Sequence, residues 1–485
     1  MSKKTLIIGA GLAGLSTGIY LQKQGIQTEI FEISGQAGGM CTAWERKGYR
    51  FDGCIHWMVG TKPDTPYYAL YREVHALDKD TIIYNAESIK TQINGIIYEI
   101  PMSLTPFKNF LLSVAPEDSA QIEAFCSAIA TMISTKMPAG APTGLPELLD
   151  IVKNSRGFLN LVRKYSGITV SQYAKSFSNQ ILKTILFHLM PPQYAFFSLV
   201  MMLGTRMGGN AGYPMGGAYD VIGRMEKLYK ELGGKINFSS RVDKIVVEGG
   251  KANALEVKGL VHQADAIVAA CDMYDVLKNM LGGKYSHRQL DILLESAELF
   301  PPLLVISFGL NKKFNLPFSQ DFECPEGVKV DSEEISHFLN LRTFEFDPAS
   351  APENCSSVMV MMNSSLDYWR DLRKNNPEIY RTRKEELANE VAVALDKRIP
   401  GFKDAVEVID VATPATYIRY ANLYKGSWEG FAPTPSVIKS NIKNTVDGIK
   451  GLYLCGQWTT IGGGICSAVQ SGKGAATAIK KYLKK

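Results

Sequence analysis

The 485-residue chain lacks the signatures of several common chemistries. Its eight cysteines (Cys41, Cys54, Cys126, Cys271, Cys324, Cys355, Cys455 and Cys466) include no CxxC pair, which removes the usual dithiol and zinc-ribbon spacings. Their scatter, with no secretory pattern ahead of them, points to a reducing cytoplasm. Six histidines with no HxxH or HxxxH grouping give no metal ligand set, so no metal is expected. Neither a P-loop nor a nucleophile elbow occurs. No apolar run approaches the ~18 residues of a spanning helix; Ala195 to Leu203 and Leu303 to Leu310 fall far short. The formal charge of +5 is spread thinly with no five-residue basic block, so nucleic acid is not an expected partner. Lys480, Lys481, Lys484 and Lys485 read as a solvated helix end, with peripheral contact at a membrane surface as the alternative. Hydrophobic content of 46% with 21% charged residues is that of a folded globular protein, and the length exceeds one ordinary core, so intertwined domains are expected.

What is present begins at once. Thr5-Leu6-Ile7-Ile8 is a short apolar run of the buried parallel-strand type, and Gly9-Ala10-Gly11-Leu12-Ala13-Gly14 follows without a spacer. Gly9 allows the tight turn, Gly11 lets the backbone approach a pyrophosphate, and Gly14 lets the next helix pack close to the sheet. The helix is expected over about Leu12 to Gln24, with Leu12, Leu15, Ile19 and Leu21 facing inward and its N-terminus facing the phosphates. A second strand, Thr28 to Glu32, delivers a carboxylate roughly 20 residues on, where it can bind adenosine ribose hydroxyls. Gly38-Gly39 comes too soon for a plain NAD domain. It would let backbone pass beneath a longer cofactor, which favours FAD over NAD.

The combination of GxGxxG, Glu32, Gly38-Gly39 and Tyr49-Arg50-Phe51-Asp52-Gly53-Cys54-Ile55-His56-Trp57 resembles the FAD-dependent phytoene desaturases, carotenoid isomerases and retinol saturases. The last stretch is most similar to the saturase and isomerase branch. Met40 stands where many desaturases carry Arg or Lys, which weakens any transfer of the desaturase direction. The middle segment Val242 to Asp272 follows the family's order, and the resemblance implies that Val242 offers its backbone to the adenine. The tail, with Tyr424-Lys425-Gly426-Ser427-Trp428-Glu429-Gly430 and then Gly451 to Ala468, resembles the family again. Read physically, the tail is a last parallel strand, a glycine-rich loop and a helix whose first N–H groups favour negative charge on a reduced flavin. The resulting cofactor set is Gly9, Gly11, Leu12, Ala13, Gly14, Glu32, Gly38, Gly39, Met40, Val242, Gly456, Gln457, Gly463, Gly464 and Ile465.

The expected fold class is α/β, with a discontinuous Rossmann-like FAD-binding domain (residues 1–75, 205–290 and 430–485) built on a parallel sheet. Residues 76–204 and 291–429 would form a substrate domain of mixed sheet and helical cap. Helices are expected over Glu117 to Thr135, Leu145 to Lys153 and Ser171 to Met190. Phe177, Ile181, Phe187, Met190, Tyr194, Phe196, Phe197, Met201 and Met202 crowd the cap as packed core or, taken together, as the lining of an apolar tunnel.

His56 is the candidate catalytic residue, because a neutral imidazole near pH 7 can deliver or accept a proton; its plainer reading is a structural histidine. The flavin ring is expected nearest Gly462 to Ile465 and His56. Tyr213, Arg419, Tyr420 and Glu429 rank below. The activity implied is an FAD-dependent saturase, desaturase or isomerase acting on carbon–carbon double bonds of a long apolar isoprenoid or polyene lipid. No second GxGxxG recurs, against a dedicated NAD(P)H domain, and the external electron donor or acceptor is unassigned. Two alternatives share the architecture. A flavin amine oxidase is disfavoured by Cys455-Gly456-Gln457, where such enzymes usually show Gly-Glu-x-Thr. A non-catalytic prenyl-lipid escort protein is disfavoured by the intact glycines and Glu32.

Overall fold

A computed structural model describes residues 3–140, 149, 153–460 and 463–484. The helix expected over Leu145 to Lys153 and Gly462 of the expected flavin loop therefore lie largely or wholly outside the described residues.

The chain opens on β1 (Lys4–Ile8), α1 (Leu12–Gln22) and β2 (Gln27–Phe31). The apolar run becomes the centre of a five-stranded parallel sheet because both its faces are covered. Three later strands complete it: β3 (Lys235–Asn237) beside β2, β4 (Ala266–Ala269) beside β1, and β5 (Leu452–Leu454) at the outer edge. Thr5 pairs with Ala266 and Thr28 in register, so residues more than two hundred positions apart share one layer. An antiparallel meander of Lys244–Glu248, Lys251–Val257 and Leu260–Gln263 lies beside it.

A seven-stranded mixed sheet takes Ser88–Ile93 and Ile96–Pro101 from the first half and the strands between Leu303 and Ala412 from the second, while Ala43–Arg46 with Tyr49–Asp52, and Ala211–Pro214 with Met58–Val59 and Ile83–Tyr84, form two smaller sheets. Its side chains alternate. Leu304, Ile306, Phe308, Val358 and Val360 pack beneath the helices Leu366–Asn375 and Pro377–Asp396, while Val305, Phe318, Phe344 and Met359 join the core shared with the cofactor sheet.

The cap differs from expectation in two respects. The stretch Ser171 to Met190 is two helices, Val170–Ala174 and Gln180–Leu189. Asn179 caps the second by accepting from the Leu182 N–H at 3.0 Å, and Asp118 holds the break by accepting from the N–H groups of Ser178 and Asn179. The aromatic set is mainly packed core. Phe196, at the start of α2 (Phe196–Met207), stacks on Tyr173 at 3.6 Å between centroids and touches Tyr165 and Phe125. Phe177 is buried and Phe187 faces outward, leaving Ile181, Met190 and Met201 only partly covered.

Candidate active site

The glycine fingerprint forms the intended turn. A Cβ on Gly9, whose φ is +98°, would lie 2.7 Å from the Ala270 carbonyl oxygen, and one on Gly14 would overlap the Gly9 carbonyl. Gly11 instead bridges to Gly38, and a Cβ on Gly39 would come within 3.3 Å of the Gly11 Cα, so two glycine segments distant in sequence form one backbone wall. Glu32 is buried at the end of β2. Its carboxylate accepts from the Ala10 N–H at 2.6 Å and the Ser34 N–H at 2.8 Å; burial pushes its pKa up and these donors oppose that. Val242 is buried two residues past Ser240, whose N–H donates to the Glu32 carbonyl. Leu12 and Ala13 are buried in the first turn of α1, and Met40 packs half-buried beside the glycine pair.

The tail converges on the same place. After β5, Gly456 adopts φ +106° within 3.7 Å (from a built Cβ) of Ala13. Thr459 and Thr460 donate to the Gly456 carbonyl, and Gln457 presents its carbonyl toward Gly430. Gly463 caps a 20-residue helix that runs Gly464–Leu483, and Ile465 is buried in its first turn. Neither this helix nor α1 has an N-cap side chain or an acid in its first turn, so the start of α1 keeps backbone donors for an anionic ligand, while at the C-terminal helix the Gly464 N–H faces the Glu429 carboxyl.

The Glu429 carboxyl packs against this loop. A Cβ on Gly463 would sit on its side chain, and burial pushes its carboxyl up to about 8 against the opposing pull of the Gly464 N–H. Asp52 is structural by geometry: it accepts from the N–H groups of Cys54, Ile55 and Ala218, tying the His56 loop to the helix Gly217–Glu231. Burial pushes Asp52 up to about 6. Tyr213 donates toward Asp347 at 3.3 Å. Arg419 lies over the ring of its exposed neighbour Tyr420.

His56 lines a recess with Trp57, Tyr84, Arg206, Tyr213 and Phe318. Its Nε2 is buried without a hydrogen-bond partner, and burial together with Arg342 pushes the imidazole down to about 3, so it is neutral at pH 7. The aromatic walls, drawn from positions 84 to 346, left no sequence pattern. Tyr84 stacks on Phe346 at 3.8 Å, and Phe318 meets Tyr213 and Phe344 edge-on or tilted. Arg206 and Arg342 escaped sequence reading for the same reason: a lone arginine at a helix end or in a strand ordinarily signals solvent.

Glycine turns that a Cβ would fill, a buried carboxylate at the end of the second strand and two helix starts without N-cap side chains fit a dinucleotide such as FAD. The chain belongs to the flavin containing amine oxidoreductase family, whose sequence profile matches residues 12–480. It is similar to a 1-hydroxycarotenoid 3,4-desaturase of Flavobacterium sp. (strain P99-3), at 24% identity over 98% of this chain and 99% of that protein. A chloroplastic prolycopene isomerase 1 of an Oncidium hybrid cultivar is 22% identical over 96% of this chain and 82% of its own length. Among solved structures, cyclohexylamine oxidase from Brevibacterium oxydans IH-35A superposes with a TM-score of 0.63 at 14% identity, covering 100% of both chains, which shows a shared fold. The protein is thus an FAD-dependent oxidoreductase. Among the described residues no helix is long and apolar enough to cross a membrane, and no group of three or more metal-ligating side chains occurs.

Proposed function

We propose that this oxidoreductase acts on carbon–carbon double bonds of a long apolar, isoprenoid-type polyene. The observation that carries the reading is the near end-to-end similarity to enzymes named for carotenoid desaturation and isomerisation, on a chain whose cap helices share one large apolar core with the glycine-fingerprint sheet. The amine-oxidase alternative rests on fold likeness at 14% identity, and Cys455-Gly456-Gln457 departs from the tail expected of it.

Residues 1–75, 205–290 and 430–485 would hold FAD and residues 76–204 and 291–429 the substrate. Bound FAD supplies hydride chemistry at its ring. Around it, Glu32 would hold the ribose, the Gly9–Gly14 turn the pyrophosphate, Gly38, Gly39 and Met40 the middle of the cofactor, and Val242 the adenine side. Gly456, Gln457, Gly463, Gly464 and Ile465 would border the ring. The chain's own task is to keep water out and manage a proton. Glu429, protonated through neutral pH and set against the Gly463–Gly464 turn, is the proton-holding group this arrangement favours. His56 would contribute as a neutral imidazole whose free Nε2 offers one hydrogen bond.

Anaerobic photoreduction of the purified holoenzyme, followed by mixing with polyenes, retinoids and primary amines, tests the proposal. A polyene or retinoid should reoxidise or otherwise turn over at the flavin; selective reduction of oxidised enzyme by amines would sink it.

A further inference from the structure

The cap-facing side of the seven-stranded sheet would be expected to be apolar. It instead carries a polar row fixed by register. Thr91 opposes Asp321, Asp321 opposes Asn340, Arg342 opposes Met359, and Met359 opposes Ser307, so all of these side chains rise from one face. His188 of the cap reaches this row, its Nδ1 2.9 Å from the Thr91 hydroxyl. Three buried polar atoms in and above the row have no partner: Ser307 Oγ, Asn340 Oδ1 and His56 Nε2. Buried polar atoms left in this state are uncommon and ask for an explanation.

The charges are also unbalanced. Arg342 has a side chain only 13% exposed and, among the described residues, one carboxylate in ion-pair range, Asp321, at 3.9 Å. Asp321 is shared, accepting from Asn340 Nδ2 at 2.6 Å. Arg206, in the last turn of α2, has no carboxylate in ion-pair range among the described residues; its guanidinium lies 5.6 Å from the Trp57 ring centroid. Burial and the nearby Arg342 push Arg206 down to about 10, still charged at neutral pH. His188 and His56 are both held toward the neutral form by burial. The acids behind Tyr213, Asp347 and Asp52, are held by backbone N–H groups, and neither lies in ion-pair range of Arg206 or Arg342 among the described residues. Two guanidiniums with one carboxylate in ion-pair range leave one positive charge unmatched in a half-buried recess, a costly state that an entering anion relieves.

We propose that Arg206 and Arg342, with the free Nε2 of His56, bind a carboxylate at one end of the substrate, while Trp57, Tyr84 and Phe318 take the adjoining hydrocarbon. The substrate is then an oxygenated apolar acid rather than a bare hydrocarbon, an inference that rests on the polyene reading above. One uncompensated charge matches a monoanion, and guanidiniums suit a planar carboxylate. A prenyl diphosphate brings more charge than the site offers.

The test uses FAD-loaded enzyme titrated with three probes, all-trans-retinoate, all-trans-retinol and geranylgeranyl diphosphate, followed by calorimetry. Retinoate should bind at least tenfold more tightly than retinol. Arg206→Gln and Arg342→Gln should each weaken retinoate at least tenfold, with retinol affinity and FAD content held, and Arg206→Lys should recover part of the loss. A thermal scan gives an independent readout: Arg206→Gln should raise the Tm of probe-free enzyme by removing an unpaired cation, and should abolish the Tm gain that retinoate gives the parent. Equal affinity for retinoate and retinol, tightest binding of the diphosphate, or equal weakening of acid and alcohol would overturn the assignment. Turnover of retinol with no preference for the acid defeats this inference alone, whereas no binding and no turnover of either retinoid defeats the polyene reading as well.

Discussion

Glu429 and His56 show how burial reassigns chemistry. Imidazole is the side chain whose ordinary pKa lies near neutrality, so His56 is the natural choice in the sequence. The folded chain reverses the ranking: His56 is held neutral by burial and Arg342, while a carboxyl ordinarily ionised at pH 7 keeps its proton until about pH 8. The sign follows. The proton-bearing form of Glu429 predominates below about pH 8 and is lost above it. The rate of the step it serves should therefore fall on the alkaline side with an apparent pKa near 8. Glu429→Gln should lower kcat by about 100- to 10,000-fold, in the range of lost general acid–base catalysis, and flatten that limb in a pH–rate series. Retention of the limb in the variant would remove Glu429 from proton handling.

Among the elements, the crossing of α1 with the C-terminal helix Gly464–Leu483 ties the two ends of the chain around the cofactor crevice. Ser16 donates to the Val469 carbonyl and Thr17 to the Gly472 carbonyl, which requires the backbones to approach closely. A Cβ on Gly472 would lie 2.6 Å from the Ala13 carbonyl oxygen and 2.8 Å from the Ser16 Cβ. Gly472→Ala should therefore destabilise by about 1–3 kcal/mol, the usual overpacking range, and lower FAD occupancy because Ala13 belongs to the phosphate turn. Gly474, two residues on, has nothing within 4 Å of its built Cβ, so Gly474→Ala should be neutral or stabilising by up to about 1 kcal/mol through helix propensity. Thermal melts with flavin absorbance read both variants, and similar losses in the two would refute the close crossing.

For the molecule as a whole, the seven-stranded sheet separates two jobs. The face toward the cofactor sheet carries the polar row and joins the large shared core, while the opposite face is a dry layer beneath Leu366–Asn375 and Pro377–Asp396. Trp369 is fully buried in that layer, and its Nε1 donates to Ser364 Oγ at 2.8 Å. Trp369→Ala should cost about 3–5 kcal/mol, as large aromatic truncations do, and leave the flavin spectrum of folded enzyme unchanged. A shifted spectrum at low temperature would mean that the two faces are not independent.

The amino-acid sequence alone determined the first strand, turn, helix and second strand, the helix after Gly464, and FAD as the cofactor. These features are local: a glycine spacing or an apolar period within a few dozen residues specifies them. The break before Asn179 falls inside a stretch expected as one helix, and Asp118, some sixty residues earlier, fixes it. Tertiary structure decided the rest. Arg206, Asp321, Arg342 and Ser307 come from one helix end and three strands, and pairing register alone determines that the strand residues rise from the same face. Side chains alternate along a strand, so a shift of one position would turn each to the other side, and only packing selects which. The charge states of His56 and Glu429 likewise depend on burial created by distant segments, which residue identity cannot supply.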